Sequence, residues 1–242
     1  MVTRLQTPAL DPVALVRTLG LEGASPVVLL DSASGSPQLA RRHYLAWDPV
    51  FRLRARGGRV RMQVGVGVMN EGGPQARALA HKADALAALA PFEALREATR
   101  LAALPARAAD AAVGASGSTG RGLAPSGDPD VADLAEAEAL VGLLSYDAVR
   151  YLEHLPDTVR DDLGIPDIDV FLPGRLLRYD LQTGEAVLVD RLAANDEAAA
   201  ARAARVEQAL RAARRPSPAA LHGNDLPVFR STFTRAEYEE VV

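Results

Sequence analysis

Four histidines, His43, His81, His154 and His222, are the side chains best suited to proton transfer near neutral pH or to metal ligation. They lie far apart in sequence and show none of the short spacings that turn two imidazoles toward one metal, so each reads as a surface or partly buried polar residue. The carboxylates gather as Asp161-Asp162 and as Glu237, Glu239 and Glu240. Such runs by default form solvated faces or helix-start charges. The chain has no cysteine, which removes disulfides, thiolate metal sites and a cysteine nucleophile. No nucleophile can be paired with a base from the sequence, and no active site is visible in it.

Two glycine-rich stretches invite a phosphate-binding reading and fail it. GASGSTGRG, residues 114 to 122, lacks the G-x-x-x-x-G-K-[ST] spacing and has no strand before it. Gly65-Val66-Gly67 lies in a run that alternates with period two and lacks the third glycine and following helix of a dinucleotide fingerprint. It reads as a strand whose glycines admit close approach of another backbone or side chain.

The elements that would position any site are readable in part. Pro12 to Leu19 has a short helical pattern, and Pro26 to Leu30 is an apolar, partly β-branched run suited to a buried strand. Phe51, Leu53 and Ala55, then Gly57-Gly58, then Val60, Met62, Val64, Val66 and Val68 describe a β-hairpin with one buried side. A second hairpin spans Leu176 to Asp190 around Thr183-Gly184. Helices are expected from Pro74 to Leu89, Phe92 to Leu104, Val131 to Leu140 and Asp196 to Arg214. The last is capped by Asn195 and carries acidic residues first and arginines last, complementing the helix dipole. Residues 105 to 130, rich in Gly, Ala, Ser and Pro, read as a flexible insertion, and residues 214 to 227 as a linker. Thr234 and Glu237 form a capping box that opens a further helix. Hairpins with helices between them predict a mixed α+β fold with a largely antiparallel sheet and helices packed on it. A doubly wound parallel sheet is the second choice.

With 242 residues and 48% hydrophobic composition the chain can bury a substantial core. Its net charge of −4 and scattered basic residues argue against nucleic acid as a partner. The first residues contain no apolar signal-peptide core, and no run is long enough to cross a membrane. A soluble, cytoplasmic protein is the expectation.

Three stretches, in order, resemble component I of anthranilate synthase, a chorismate-utilising enzyme family. Residues 27 to 49, VVLLDSASGS followed by ARRHYLAWDP, resemble a strand-loop LLES-x-x-G and the segment GRYSF-x-G-x-DP. Residues 141 to 156, VGLLSYDAVRYLEHLP, resemble GG-x-VGY-x-x-YD-x-VRY-x-E-x-LP, which is the most specific of the three. FRSTFTRAEYEEVV, residues 229 to 242, is similar to the segment that opens the family's chorismate-binding domain. Asp31 stands where the family has Glu, Ala40-Arg41-Arg42-His43 where it has GRYS, Glu138-Ala139 where it has two glycines, and Leu143 where it has Tyr.

The resemblance implies an N-terminal regulatory domain over residues 1 to 213, a linker, and from residue 228 the start of a chorismate-binding domain. It implies tryptophan as effector, held by Leu30, Asp31, Ser32 and Arg41. A carboxylate matches an α-ammonium, a hydroxyl serves either end, and an apolar strand gives the indole a wall. Read without the family, Asp31-Ser32 is a turn cap after a strand. Tyr146 and Asp147 match the family's YD and are expected to be structural, the tyrosine buried with a partner for its hydroxyl. The complete enzyme would use Mg²⁺ and a glutamine amidotransferase subunit to turn chorismate into anthranilate. This chain by itself is expected to be inactive, with its catalytic partner domain absent and an apolar face exposed in its place. The alternatives are a stand-alone amino-acid-binding module and the matching part of aminodeoxychorismate synthase component I.

Overall fold

The computed structural model describes residues 2–6, 10–24, 26–32, 41–71, 73–113, 139–156, 161, 163–193, 195–213 and 234–236. The fold is α+β. In chain order the elements are β1 (Val2–Gln6), α1 (Pro12–Thr18), β2 (Val27–Leu30), β3 (Arg42–Arg56), β4 (Arg59–Val64), α2 (Val66–Glu71), α3 (Gly73–Ala87) and α4 (Pro91–Val113). After these come β5 (Val141–Leu144), a 3₁₀ helix (Tyr146–Tyr151), β6 (Ile168–Asp180), β7 (Glu185–Asp190) and α5 (Asp196–Ala212). Every strand pairing among the described residues is antiparallel. The parallel alternative is therefore discarded.

Two long strands organise the sheet. β3 and β6 pair from Arg42↔Asp180 to Ala55↔Ile168, with an irregularity between Pro49 and Phe51. There Pro49 faces Pro173, and neither has an amide hydrogen to give to the ladder. The break divides the sheet. On one side of it β2 pairs with β3 and β7 with β6, and β1 lies beyond β7. On the other side β4 pairs with β3 and β5 with β6.

Each half has its own helical cover. Phe51, Leu53, Ala55, Ile168, Val170 and Leu172 are buried with Ala94, Ala98 and Ala102, which recur every four residues along α4. Leu45, Trp47, Leu177, Tyr179 and Leu188 are buried with Leu15 of α1 and with Ala203, Val206 and Leu210 of α5. Fully burying a side chain such as Phe51 stabilises the fold by roughly 1.5–3 kcal/mol. The opposite face carries a smaller cluster of Ala46, Phe171, Leu176, Val187 and Val189.

Local chemistry explains the element ends. The Asp11 carboxylate accepts from the amides of Val13 and Ala14, both at 3.0 Å, with Pro12 at the first helical position. Asn195 accepts from the Ala198 amide at 2.8 Å. Gly57 and Gly58, at φ 53° and 78°, make the two-residue turn between Arg56 and Arg59.

Three expectations need correction. The alternation through Val66 and Val68 does not continue as strand, because the chain turns into α2 directly after Gly65. Helix α4 runs to Val113, so residues 105 to 113 are helical rather than the start of a flexible insertion. Tyr146 is 87% exposed rather than buried. The insertion's remainder, all but the last two residues of the helix expected from Val131 to Leu140, the linker and most of the final segment lie outside the described residues; Ala139 and Leu140 are not helical, and Arg235 and Ala236 are in helical conformation after Thr234.

Candidate functional site

β2 ends where β3 begins, and this sheet corner gathers the polar residues singled out from the sequence. Leu30, the last residue of β2, is half exposed and pairs with Tyr44. One step on, Asp31 Oδ1 lies 2.9 Å from His43 Nδ1. Ser32 donates its hydroxyl to the Arg42 carbonyl at 2.9 Å and its amide to His43 Nδ1 at 3.2 Å. Arg41 enters from the other strand, and its Nε donates to Asp180 Oδ2 at 2.8 Å. Asp31 and Ser32 thus meet β3 at one corner, the Arg41 side chain reaches Asp180 on the strand to the other side of β3, and each already has a partner within the chain.

His43 is the residue of this corner that the sequence reading left aside. It is buried and stacks on Tyr179, with ring centroids 5.9 Å apart and planes 9° from parallel. Its Nδ1 faces both Asp31 and the Ser32 amide. One nitrogen cannot serve both at once: protonated it donates to Asp31, bare it accepts from Ser32. The cue in the sequence is its position, a histidine two residues after Arg41 on the strand that faces Asp31.

Asp180 anchors the base of the corner. Burial pushes its carboxyl up, but the Thr183 and Gln182 amides and the Arg41 guanidinium outweigh that, and it titrates below the ordinary aspartate value. The two amide bonds, at 3.1 and 2.9 Å, also close the turn into β7.

The YDAVRY stretch does different work from that expected. Asp147 accepts from Arg150 Nε at 2.9 Å, and Arg150 also donates to the Pro156 carbonyl at 3.0 Å, which ties down the segment after the helix. The tyrosine whose hydroxyl is partnered is Tyr151, five residues after Tyr146. It donates to Asp167 and accepts from the Gly58 amide at 3.1 Å. Burial, then the bond to Asp167, raises its pKa above that of free tyrosine, with the Gly58 amide opposing. Nothing in the one-dimensional motif separates the two tyrosines, because Asp167 and Gly58 come from distant segments.

Among the described residues no group of three or more His, Asp or Glu side chains could hold a metal ion. No helix among the described residues is long and apolar enough to cross a membrane.

No family model matches the chain. A stretch of 53 residues, 22% of the chain, is 40% identical to anthranilate synthase component 1 of Mycolicibacterium smegmatis (strain ATCC 700084 / mc(2)155). The match spans 10% of that protein's length, and it supports a distant relation.

Proposed function

We propose that this chain is the front, regulatory part of a protein of the anthranilate synthase component I type, and that the β2–β3 corner binds tryptophan as a feedback effector. The observation that carries this reading is Asp31 and Ser32 at the exit of an apolar strand, held against His43 and the Arg42 carbonyl, with Arg41 one residue before that carbonyl and its guanidinium on Asp180. An α-ammonium would take Asp31, the α-carboxylate would take Arg41, and the indole would lie along half-exposed Leu30. In this reading the conversion of chorismate to anthranilate, with its Mg²⁺ and its ammonia-supplying amidotransferase, belongs to a further domain that packs on this one. The 53-residue stretch that is 40% identical to anthranilate synthase component 1 supports this reading.

Isothermal titration calorimetry of the purified chain with L-tryptophan tests the reading. Saturable heat is expected, weakened about tenfold or more in Asp31→Asn and in Ser32→Ala, since a hydrogen bond to a charged group contributes roughly 1.5–3 kcal/mol. Absence of saturable heat with the folded wild-type chain would sink it.

A further inference from the structure

At the other end of β2 lies a cavity of about 430 Å³ that the proposed effector corner does not use. It opens at the proline break of the β3–β6 pair, between the two helix-covered halves of the sheet. Pro26, which precedes β2, is on its rim, whereas Asp31 follows the last residue of β2. Four paired residues separate them, roughly 13 Å at the rise of an extended strand.

The polar lining is built rather than incidental. Asp48 has φ 50°, the one non-glycine residue in the left-handed region among those described. Such a conformation costs about 1 kcal/mol or more and persists where the surroundings impose it. Here they do: a Cβ on Gly174 would lie 2.1 Å from the Asp48 carbonyl oxygen, and one on Gly65 would lie 1.6 Å from that of Pro49. Three backbone segments cross at this point and hold the Asp48 carboxylate half exposed at the cavity wall.

The charges are complementary to both ends of a zwitterion. Arg175 is 90% buried and donates one terminal nitrogen to one Asp48 oxygen, while its Nε lies 3.5 Å from Asp190. These bonds leave the second Asp48 oxygen as an acceptor and the second terminal nitrogen of Arg175 as a donor. Arg52, a further wall residue, is fixed by Asp169 through two bonds of 2.6 Å. Val64, Pro49 and Leu192 supply the apolar remainder. A lone cation would meet the guanidinia, and a lone anion would meet Asp48. A molecule carrying an ammonium and a carboxylate a few ångströms apart satisfies both, and the volume suits one amino acid with a medium-sized apolar side chain.

We propose that this cavity is a second small-molecule site, specific for a free α-amino acid with an apolar side chain, with Asp48 taking the ammonium and Arg175 the carboxylate. The site is independent of tryptophan binding at the β2–β3 corner.

The test is an amide-resolved NMR titration of the whole chain with L-leucine, L-leucinamide and N-acetyl-L-leucine. Saturable shifts are expected at Asp48, Gly65, Gly67 and Arg175 with leucine. The two derivatives, each missing one charge, are expected to bind about tenfold more weakly. Asp48→Asn, which tolerates the left-handed backbone, should reduce leucine affinity about tenfold in the folded chain while leaving any tryptophan-induced shifts at Ser32 and Arg41 unchanged. Leucine shifts confined to the β2–β3 corner would overturn the proposal, as would equal binding of all three compounds or no saturable shift at the cavity. Loss of tryptophan binding alone would overturn the effector reading and leave this one standing.

Discussion

Asp180 shows how much one side chain of the corner carries. It accepts from two backbone amides at one oxygen and from the Arg41 guanidinium at the other while itself buried, so an amide in its place keeps one acceptor but loses the charge and the bond to Arg41. Asp180→Asn is expected to cost about 1–3 kcal/mol at neutral pH by urea denaturation. Its folded pKa lies below the unfolded value, so this stabilisation is fully present above about pH 4 and is lost as the pH falls through the folded pKa. The difference between variant and wild type should therefore shrink in acid, and a gap that stays constant with pH would contradict the assignment. Asp31 and Ser32 were legible in the sequence as polar residues closing an apolar strand. Their engagement by His43 was not, because it depends on the register Leu30↔Tyr44, which no local pattern encodes.

The elements were readable in proportion to how much of their own pattern they carry. The Gly57-Gly58 hairpin and α5 announced themselves through strict alternation and through matched caps. β1 and β5 did not, because five- and four-residue strands at a sheet edge bury too few positions to alternate visibly. The first half of β3 was also missed, since Arg42, His43 and the Asp48-Pro49 pair look like loop residues. The misreading of Val66 and Val68 has a tertiary cause. Gly65 donates its amide to the Val50 carbonyl at 2.8 Å and lies so close to Pro49 that the chain leaves the sheet there. Gly65→Ala should consequently lower stability by about 3 kcal/mol or more, because a Cβ would collide with backbone that cannot swing aside. A thermal midpoint within a degree or two of wild type would show that the crossing relaxes easily.

Across the whole molecule, composition and hairpin count were enough to give the α+β class, and the division of the sheet was not. It arises from the pairing of Pro49 with Pro173, residues more than a hundred positions apart. The same distance hides the cavity, whose walls come from five separate segments. Large apolar residues stay exposed from β5 to the start of β6, among them Leu144, Tyr146, Leu152 and Leu163. These residues fall on the half of the sheet away from the β2–β3 corner.

The proline pair has a consequence for how the molecule opens. Cooperative unfolding spreads along a ladder through its hydrogen bonds, and at Pro49 and Pro173 there are none to pass it on. Deuterium uptake should therefore fall into two blocks within the same two strands. The amides of Leu45 to Trp47 and Leu176 to Tyr179 would exchange with one opening free energy, and those of Phe51 to Ala55 and Val170 to Leu172 with another. A single protection value along the full length of β3 would mean that the two helical layers, and not the strands, hold the halves in step.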